Sequence, residues 1–209
     1  MRIETPDGWG SGFVIAASPD SPVRTVGTAF HVFEPAIGHE FQIASGEQSF
    51  TAGGESKKDC LYARVDELDA VTVILLNMPG LPIPTVPFLE RGEAPLAVGM
   101  EVGWLGFPQI HDDLCFFSGR VSAIINDDHF LVDGTAIHGV SGGPAFLVTD
   151  NGPKIVGSIT AYVPNKLEDD MLPGLSLVTH AAVHRDIAVD IEPDGERRSK
   201  MTITNRFSS

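Results

Sequence analysis

The chain has 209 residues, of which 43% are hydrophobic, and it carries a formal net charge of -14 at pH 7. This length and composition are typical of a globular protein with one large β unit or two small domains, and they exclude a disordered chain. Because binding to phosphate groups depends on clustered lysine and arginine, the acidic balance excludes a nucleic-acid-binding role and an anionic membrane partner.

Neither a membrane segment nor a secretory signal is predicted. The longest apolar run, at 71–76, is too short to span a bilayer, and residues 1–7 lack the cationic start and apolar segment of a signal peptide. Cys60 and Cys115 lie far apart and in no metal-like spacing, which favours two buried free thiols in a reducing compartment. We therefore expect a cytoplasmic protein without a metal site.

The first part of the chain is predicted to form short strands separated by turns. A glycine-rich stretch at 8–12 leads into a strand at 13–16, and an apolar stretch at 23–33 follows a turn rich in serine and proline. His31 lies near the end of that apolar stretch. A single histidine in such a place is more often packed in the core than catalytic, so it needs a partner before a role is assigned.

A carboxylate at the start of the next strand is the candidate partner. The residues DELD at 66–69 lead directly into the apolar run that begins at Ala70. Carboxylates at the end of a strand are usually only solvated, but an aspartate held at the edge of a β unit can orient a catalytic histidine. Asp69 adjoins the apolar run and is preferred, and Asp66 remains the alternative.

A proline-rich segment at 79–95 is predicted to link two domains of similar size, at 8–78 and 96–191. Its five prolines lack the N–H group that a strand ladder needs. The second domain contains short apolar or alternating segments, and helical periodicity is present only at 181–191. Residues 192–209 are charged and polar and are expected to fray. The chain is therefore predicted to be all-β, either a sandwich or a pair of barrels.

A short glycine-rich loop, GVSGGP at 139–144, lies between two apolar runs. On a tight turn, a serine flanked by glycines can direct its own amide and that of Gly139 toward one point, as the binding of an oxyanion requires. Ser141 is therefore a candidate nucleophile. The alternative is a glycine-rich hairpin with a serine at its tip, because short motifs also occur without a function.

The order of His31, Asp69 and Ser141, with the serine in G-x-S-G-G-P, resembles the trypsin-like (chymotrypsin-fold) serine peptidases, whose catalytic triad follows the same chain order. Further segments resemble the bacterial HtrA-like branch of that family: GSGFVI at 10–15, GTAFHV at 27–32, LGFP at 105–108, SGRVSA at 118–123 and VGSITA at 156–161. The resemblance implies two six-stranded antiparallel β-barrels with the active site in the cleft between them. The first barrel carries the histidine and the aspartate, and the second carries the serine.

The same resemblance implies the chemistry of the site. His31 takes the proton of Ser141, Asp69 orients His31, and the amides of Gly139 and Ser141 form the oxyanion hole. Neither a metal nor an organic cofactor is needed. The substrate is a polypeptide, and a regulatory partner protein is left open.

The resemblance also indicates which residues contact the substrate. They lie in the loop before the nucleophile and on the strand at 156–161: Thr135, Ala136, His138, Ile159, Thr160 and Ala161. None of them is a carboxylate, so we expect a small or medium apolar side chain before the scissile bond. His180 is a further candidate for the cleft. The other histidines fall in or beside polar turns and are expected to be exposed: His39, His111, His129 and His184.

Two departures from the family pattern matter. The chain has Val140 where the family usually has aspartate or asparagine, and we expect this valine to pack into the core of the second barrel. HtrA proteins commonly carry a following PDZ domain, and none is expected after residue 191. Two other functions remain open on these residues, an inactive relative that binds peptides or proteins and an esterase that uses the same site.

Overall fold

The structure is a computed structural model of residues 1–209. It describes the chain except for residues 18–20, 55–58, 85, 91, 94–95, 135, 168–169, 186, 195–197 and 206–209, and it describes only the backbone of residues 162, 164–167, 170–173, 187–194 and 198–205. Within the described residues, no helix combines the length and the apolar character that crossing a bilayer requires.

The first half of the chain forms two four-stranded antiparallel sheets around one shared core. Its strands are β1 (Arg2–Thr5), β2 (Gly8–Ser11), β3 (Phe13–Ala17), β4 (Arg24–Ala29), β5 (Glu40–Ser45), β6 (Gln48–Gly53), β7 (Cys60–Val65) and β8 (Ala70–Leu75). One sheet has the order β2-β1-β5-β6 and the other has the order β3-β4-β8-β7. Ile3 and Ile43 of the first sheet and Val26 and Val73 of the second share the core, so the sheets pack on each other.

Three short helical turns lie in the connections that bear on the site. Helix α1 (Phe30–Phe33) and a 3-10 turn (Glu34–Ala36) follow β4, and a second 3-10 turn (Asp66–Leu68) precedes β8. The chain crosses from β2 to β3 at a single residue, Gly12, where a Cβ atom would lie 2.7 Å from Ile3 Cδ1. That Cβ atom would also lie 3.1 Å from the carbonyl oxygen of Gly27, so a larger residue at this crossing would require its neighbours to move.

The second half of the chain forms a closed six-stranded barrel with the order β10-β11-β14-β13-β12-β9. Its strands are β9 (Glu101–Gly106), β10 (Cys115–Ile124), β11 (His129–Val132), β12 (Pro144–Thr149), β13 (Gly152–Leu167) and β14 (Asp170–His180). In β9, Val102 and Trp104 point inward and are 0% and 1% exposed, while Glu101 points to solvent. This period of two is what gives the barrel one apolar and one polar face.

The predicted all-β class and one six-stranded barrel are confirmed. A second six-stranded barrel is not confirmed, because the crossing at Gly12 and the helical connection after β4 divide the first eight strands between two sheets. Strand β1 lies ahead of the predicted start of the first domain at residue 8, and it pairs with both β2 and β5.

The end of the chain differs from the prediction of a helical segment followed by a frayed tail. Only α2 (Ala182–Arg185) is helical, and β15 (Ile187–Asp194) pairs with β16 (Arg198–Asn205) in a separate two-stranded sheet. The apolar residues Ile187, Val189 and Ile191 alternate with other residues, and this period of two favours a strand over a helix.

Candidate active site

Asp69 holds His31 by both of its carboxylate oxygens. Asp69 Oδ1 accepts the backbone N–H of His31 at 2.9 Å, and Asp69 Oδ2 lies 2.6 Å from His31 Nδ1. Because a carboxylate can only accept hydrogen bonds, Nδ1 carries the ring proton and Nε2 presents its lone pair. The imidazole is therefore fixed in the tautomer and orientation of a general base.

The backbone explains how Asp69 reaches His31 from 38 residues away in the sequence. Asp69 ends the second 3-10 turn in the left-handed conformation, with φ 47° and ψ 43°. Aspartate tolerates this region better than most residues do. The backbone carbonyl of Asp69 also accepts the N–H of Phe30 at 3.0 Å, so the turn and α1 are joined at two successive residues of α1.

The alternative carboxylate lies elsewhere. Asp66 is exposed and forms an ion pair with Arg64, with 2.9 Å between Arg64 Nε and Asp66 Oδ1. The structure brings Asp69, and not Asp66, to His31.

The loop that carries Ser141 is held by the barrel on its inner side. Val140 is 0% exposed and belongs to the core of the barrel, as expected for a valine at this position. The N–H of Gly142 donates to the carbonyl of Ile159 at 2.6 Å, and the N–H of Gly143 donates to that of Val140 at 3.0 Å. Gly142 has a φ of 82°, and a Cβ atom there would overlap Ser11 O and Thr28 Oγ1.

Two amides of this loop remain available as donors. Among the described residues, neither the N–H of Gly139 nor that of Ser141 has a hydrogen-bond acceptor. The carbonyl of His138 accepts the N–H of Gln109 at 2.8 Å, which fixes the peptide that links His138 to Gly139. Because that peptide is trans, the N–H of Gly139 points away from Gln109. The loop can thus offer two N–H donors to a developing negative charge.

Ser11 anchors the loop from the first half of the chain, and the sequence did not indicate this role. Its hydroxyl donates to the carbonyl of Gly139 at 2.7 Å and accepts the N–H of Phe107 at 2.9 Å. Its own backbone N–H donates to the carbonyl of Ser141 at 2.8 Å. Ser11 is 1% exposed. The only signal in the sequence is a small polar residue between two glycines, which predicts a turn and no partner.

His31 and Ser141 line one cavity of about 150 Å³. Its walls also include Gly139 and His138 from the nucleophile loop, and Asp7 and Trp9 from the turn and strand after β1. Within the described residues, the side chains of His31 and Ser141 form no hydrogen bond with each other. Hydrogen bonds between a nucleophile and its base are often long before substrate binds, so this arrangement is compatible with a Ser-His pair.

The predicted substrate-contacting residues fall into different environments. Thr135 lies outside the described residues. His138 is exposed and shares the cavity with Ser141. Ala136 is 8% exposed, and its N–H donates to Ser176 Oγ at 2.7 Å. Ile159 is fully buried in the barrel core, and Ala161 is half-buried.

Thr160, the remaining residue of that set, is 1% exposed and lies 3.1 Å from Thr179 by their hydroxyl oxygens. Thr160 Oγ1 also donates to the carbonyl of Leu177 at 3.4 Å, and Thr179 Oγ1 donates to the carbonyl of Leu68 at 3.0 Å. This chain of hydrogen bonds ties the barrel to the turn that carries Asp69. Thr160 is therefore buried in this network.

His184 contradicts the prediction that it is exposed. It is 1% exposed, its Nε2 lies 2.9 Å from Ser158 Oγ, and its carbonyl accepts the hydroxyl of Thr72 at 3.1 Å. Burial lowers the pKa of His184 from 6.5 to about 4, so its ring is neutral at pH 7. The sequence placed it beside a polar turn, but in the structure α2 brings His184 against Phe13 and Thr72 of the first half of the chain and Ser158 of the second.

In the described part of the chain, no group of three or more histidine, cysteine, aspartate or glutamate side chains is placed to hold a metal ion. Cys60 is half-buried, and burial together with the charge of Asp59 raises its pKa to about 12. This thiol is therefore a poor nucleophile at pH 7. The candidate active site therefore consists of His31 with Asp69, the hydroxyl of Ser141, and the N–H groups of Gly139 and Ser141.

Comparisons with known proteins bear on the family and the fold. The sequence model of the trypsin-like peptidase domain matches residues 10–157. No curated protein sequence matches the chain significantly. An inactive form of a serine-to-alanine mutant of Rv3671c from M. tuberculosis H37Rv has a similar structure, with a TM-score of 0.61 and 20% identity over 87% of this chain and 80% of that chain.

The serine endoprotease from Yersinia pestis is also similar, with a TM-score of 0.64 and 18% identity over 89% of this chain and 60% of that chain. This chain thus spans less than two thirds of the length of the Yersinia protein. At such identities the two likenesses concern the fold.

Proposed function

Because the chain belongs to the trypsin-like peptidase family, we propose that it is a serine endopeptidase that uses Ser141, His31 and Asp69. The observation that carries this proposal is the double contact of the Asp69 carboxylate with the backbone N–H and Nδ1 of His31. Both side chains remain partly exposed, at 49% for His31 and 35% for Asp69, so the pair is accessible from the cavity side. The contact with Asp69 leaves Nε2 of His31 unprotonated, so Nε2 can act as the general base for Ser141, which lines the same cavity.

The reaction has two halves. In the first, Ser141 Oγ attacks the carbonyl carbon of the scissile peptide bond while His31 Nε2 takes the hydroxyl proton. The amides of Gly139 and Ser141 donate to the oxyanion, and collapse of the intermediate breaks the C–N bond as His31 returns the proton to the leaving amine. In the second half, water attacks the acyl-enzyme with His31 again as the base, which releases the acid and restores Ser141.

The residue before the scissile bond is proposed to be small or medium and apolar. Ala136, with Ser176 hydrogen-bonded to its N–H, is neutral, and neither Ile159 nor Ala161 on the adjoining strand carries a charge. A lysine or arginine at this position would find no carboxylate partner among these residues, and burial of an unpaired charge is unfavourable. A cleavage profile dominated by arginine, lysine or glutamate before the cut would contradict this part of the proposal.

Labelling with a fluorophosphonate probe tests the proposed nucleophile. We expect the wild-type protein to be labelled and Ser141→Ala to remain unlabelled, with an unchanged circular dichroism spectrum. Ser49→Ala is the matched control, because Ser49 is exposed and distant in sequence from the site, and it should be labelled as the wild type is. Labelling of Ser141→Ala at the wild-type rate would show that Ser141 is not the nucleophile.

A peptide library and a set of short-chain esters then separate the functions. Peptide cleavage lost by several orders of magnitude in Ser141→Ala supports the endopeptidase. Ester hydrolysis without peptide cleavage would make the chain an esterase, and peptide binding without labelling or hydrolysis would make it a binding module.

A further inference from the structure

The cavity beside Ser141 lies on one side of the proposed nucleophile only. It is lined by His31, Ser141, Gly139 and His138, and the proposed acyl-side residues Ala136 and those at 159–161 are absent from its walls. The acyl chain and the leaving amine extend from the scissile carbonyl in opposite directions. If the acyl half of the substrate lies toward Ala136, the cavity receives the residues that follow the scissile bond. This step rests on the proposed function.

The outer wall of the cavity comes from the hairpin β1–β2, whose turn contains Asp7. Asp7 is exposed, and its carboxylate has no ion pair or hydrogen bond among the described residues. Trp9 lines the same cavity, and its indole Nε1 donates to the carbonyl of Phe107 at 3.2 Å. The guanidinium of Arg2 lies over the Trp9 ring, 5.6 Å from its centroid, and forms an ion pair with Glu4 rather than with Asp7.

The hairpin is held rigidly against the nucleophile loop. Ser11, the last residue of β2, bonds the carbonyls of both Gly139 and Ser141, and the ladder between β1 and β2 runs from Arg2 paired with Ser11 to Thr5 paired with Gly8. The β1–β2 ladder and the Ser11 contacts thus connect the strand that carries Trp9, and the turn that carries Asp7, to the loop of Ser141. A wall that is fixed before the substrate arrives can discriminate between side chains, because little ordering entropy remains to be lost.

An unpaired carboxylate beside an aromatic ring is suited to a long cationic side chain. The alkyl stem of lysine or arginine packs along the indole, and its charged head reaches the carboxylate. The formal net charge of -14 attracts cationic segments toward the protein as a whole. His31 and His138 are the other titratable groups on the cavity wall.

We propose that the cavity formed by Asp7, Trp9, Gln109 and His138 beside Ser141 is the subsite for the leaving-group side of the substrate, and that Asp7 makes it select lysine or arginine at the first or second position after the scissile bond. The chain then combines a neutral pocket before the cut with an acidic subsite after it. Asp7 is a specificity-determining residue in this assignment.

Matched quenched peptides test the assignment. The peptides share all residues before the cut and carry lysine, glutamine or glutamate at the first two positions after it. Because Asp7 is exposed and its pairing is screened by solvent, we expect kcat/KM for the lysine peptide to exceed that for the glutamine peptide by about two- to fivefold at low salt. Asp7→Asn should remove this preference, and Asp7→Lys should shift it toward glutamate.

Asp150→Asn is the matched control, since it removes the same charge from an exposed turn outside the cavity. The proposal is overturned if the wild type cleaves the lysine and glutamine peptides with the same kcat/KM. It is also overturned if Asp150→Asn changes the lysine-to-glutamine ratio of kcat/KM as much as Asp7→Asn does. The affinities of Ser141→Ala for the same peptides provide a second measurement. If no peptide is cleaved, the endopeptidase proposal fails, and these affinities still decide whether the cavity selects lysine.

Discussion

Replacement of Ser11 by alanine should lower both stability and turnover. The Ser11 hydroxyl satisfies two backbone groups, the carbonyl of Gly139 and the N–H of Phe107, in a position that is 1% exposed. Each buried polar group that loses its partner costs about 1–3 kcal/mol. Phe107 is half-buried, so water can partly replace its lost acceptor. We therefore expect the free energy of unfolding to fall by about 2–4 kcal/mol.

The effect on turnover follows from the same contact. Without the Ser11 hydroxyl, the carbonyl of Gly139 loses its anchor, and the N–H groups of Gly139 and Ser141 are less well ordered for the oxyanion. Loss of one oxyanion donor lowers kcat by about 10²- to 10³-fold in serine proteases. Because Ser11→Ala loosens a donor without removing it, we expect kcat to fall by about 10- to 100-fold, with KM changed less.

Urea unfolding and steady-state kinetics on one quenched peptide measure the two effects. Ser49→Ala is the matched control, since its hydroxyl is exposed and donates only to Gln42 Oε1 at 3.3 Å. That variant should stay within about 0.5 kcal/mol of the wild type. If Ser11→Ala is as stable as Ser49→Ala and turns over substrate at the same rate, the anchoring role of Ser11 is wrong.

Three further perturbations test other parts of the site and fold. Asp69→Asn should lower kcat by about 10⁴-fold, because an asparagine amide can donate to Nδ1 and so favours the tautomer in which Nε2 carries the proton and cannot act as the base. Asp66→Asn should stay close to the wild type, and the reverse order would make Asp66 the triad carboxylate. Burial lowers the pKa of His184 from 6.5 to about 4, so the unfolded chain binds a proton at this histidine before the folded chain does as the pH falls. The free energy of unfolding should therefore decrease between pH 6.5 and 4, by up to about 1.4 kcal/mol per pH unit relative to His184→Gln. Urea unfolding that gives the same pH dependence of stability for the wild type and for His184→Gln would contradict this. Gly142→Ala should abolish probe labelling and destabilise the fold, because its Cβ would overlap Ser11 O and Thr28 Oγ1. Gly46→Ala is the control, since Gly46 also has a positive φ but open space around it, and it should cost only about 1 kcal/mol of stability. Similar losses of stability in both variants would show that the backbone angle, and not the close contact, is responsible.

The sequence by itself determined the all-β class and the family. Short apolar segments with a period of two, separated by glycine and proline, encode strands and turns locally, and the strand β9 shows the same alternation of burial in the structure. The loop around Ser141 could also be predicted from local sequence, because Gly139 and Gly142 adopt positive φ values that few other residues accept. Val140 was correctly expected in the barrel core.

The tertiary structure decided which distant groups meet. Asp69 was preferred over Asp66 only by its place next to a strand, whereas the hydrogen bonds to His31 depend on how the second 3-10 turn packs against α1. The anchoring by Ser11 joins residues 128 positions apart, and the burial of His184 arises from a helix packed between the two halves of the chain. Such contacts leave no periodic trace in the sequence, because periodicity reports which face of an element is buried and not which element covers it.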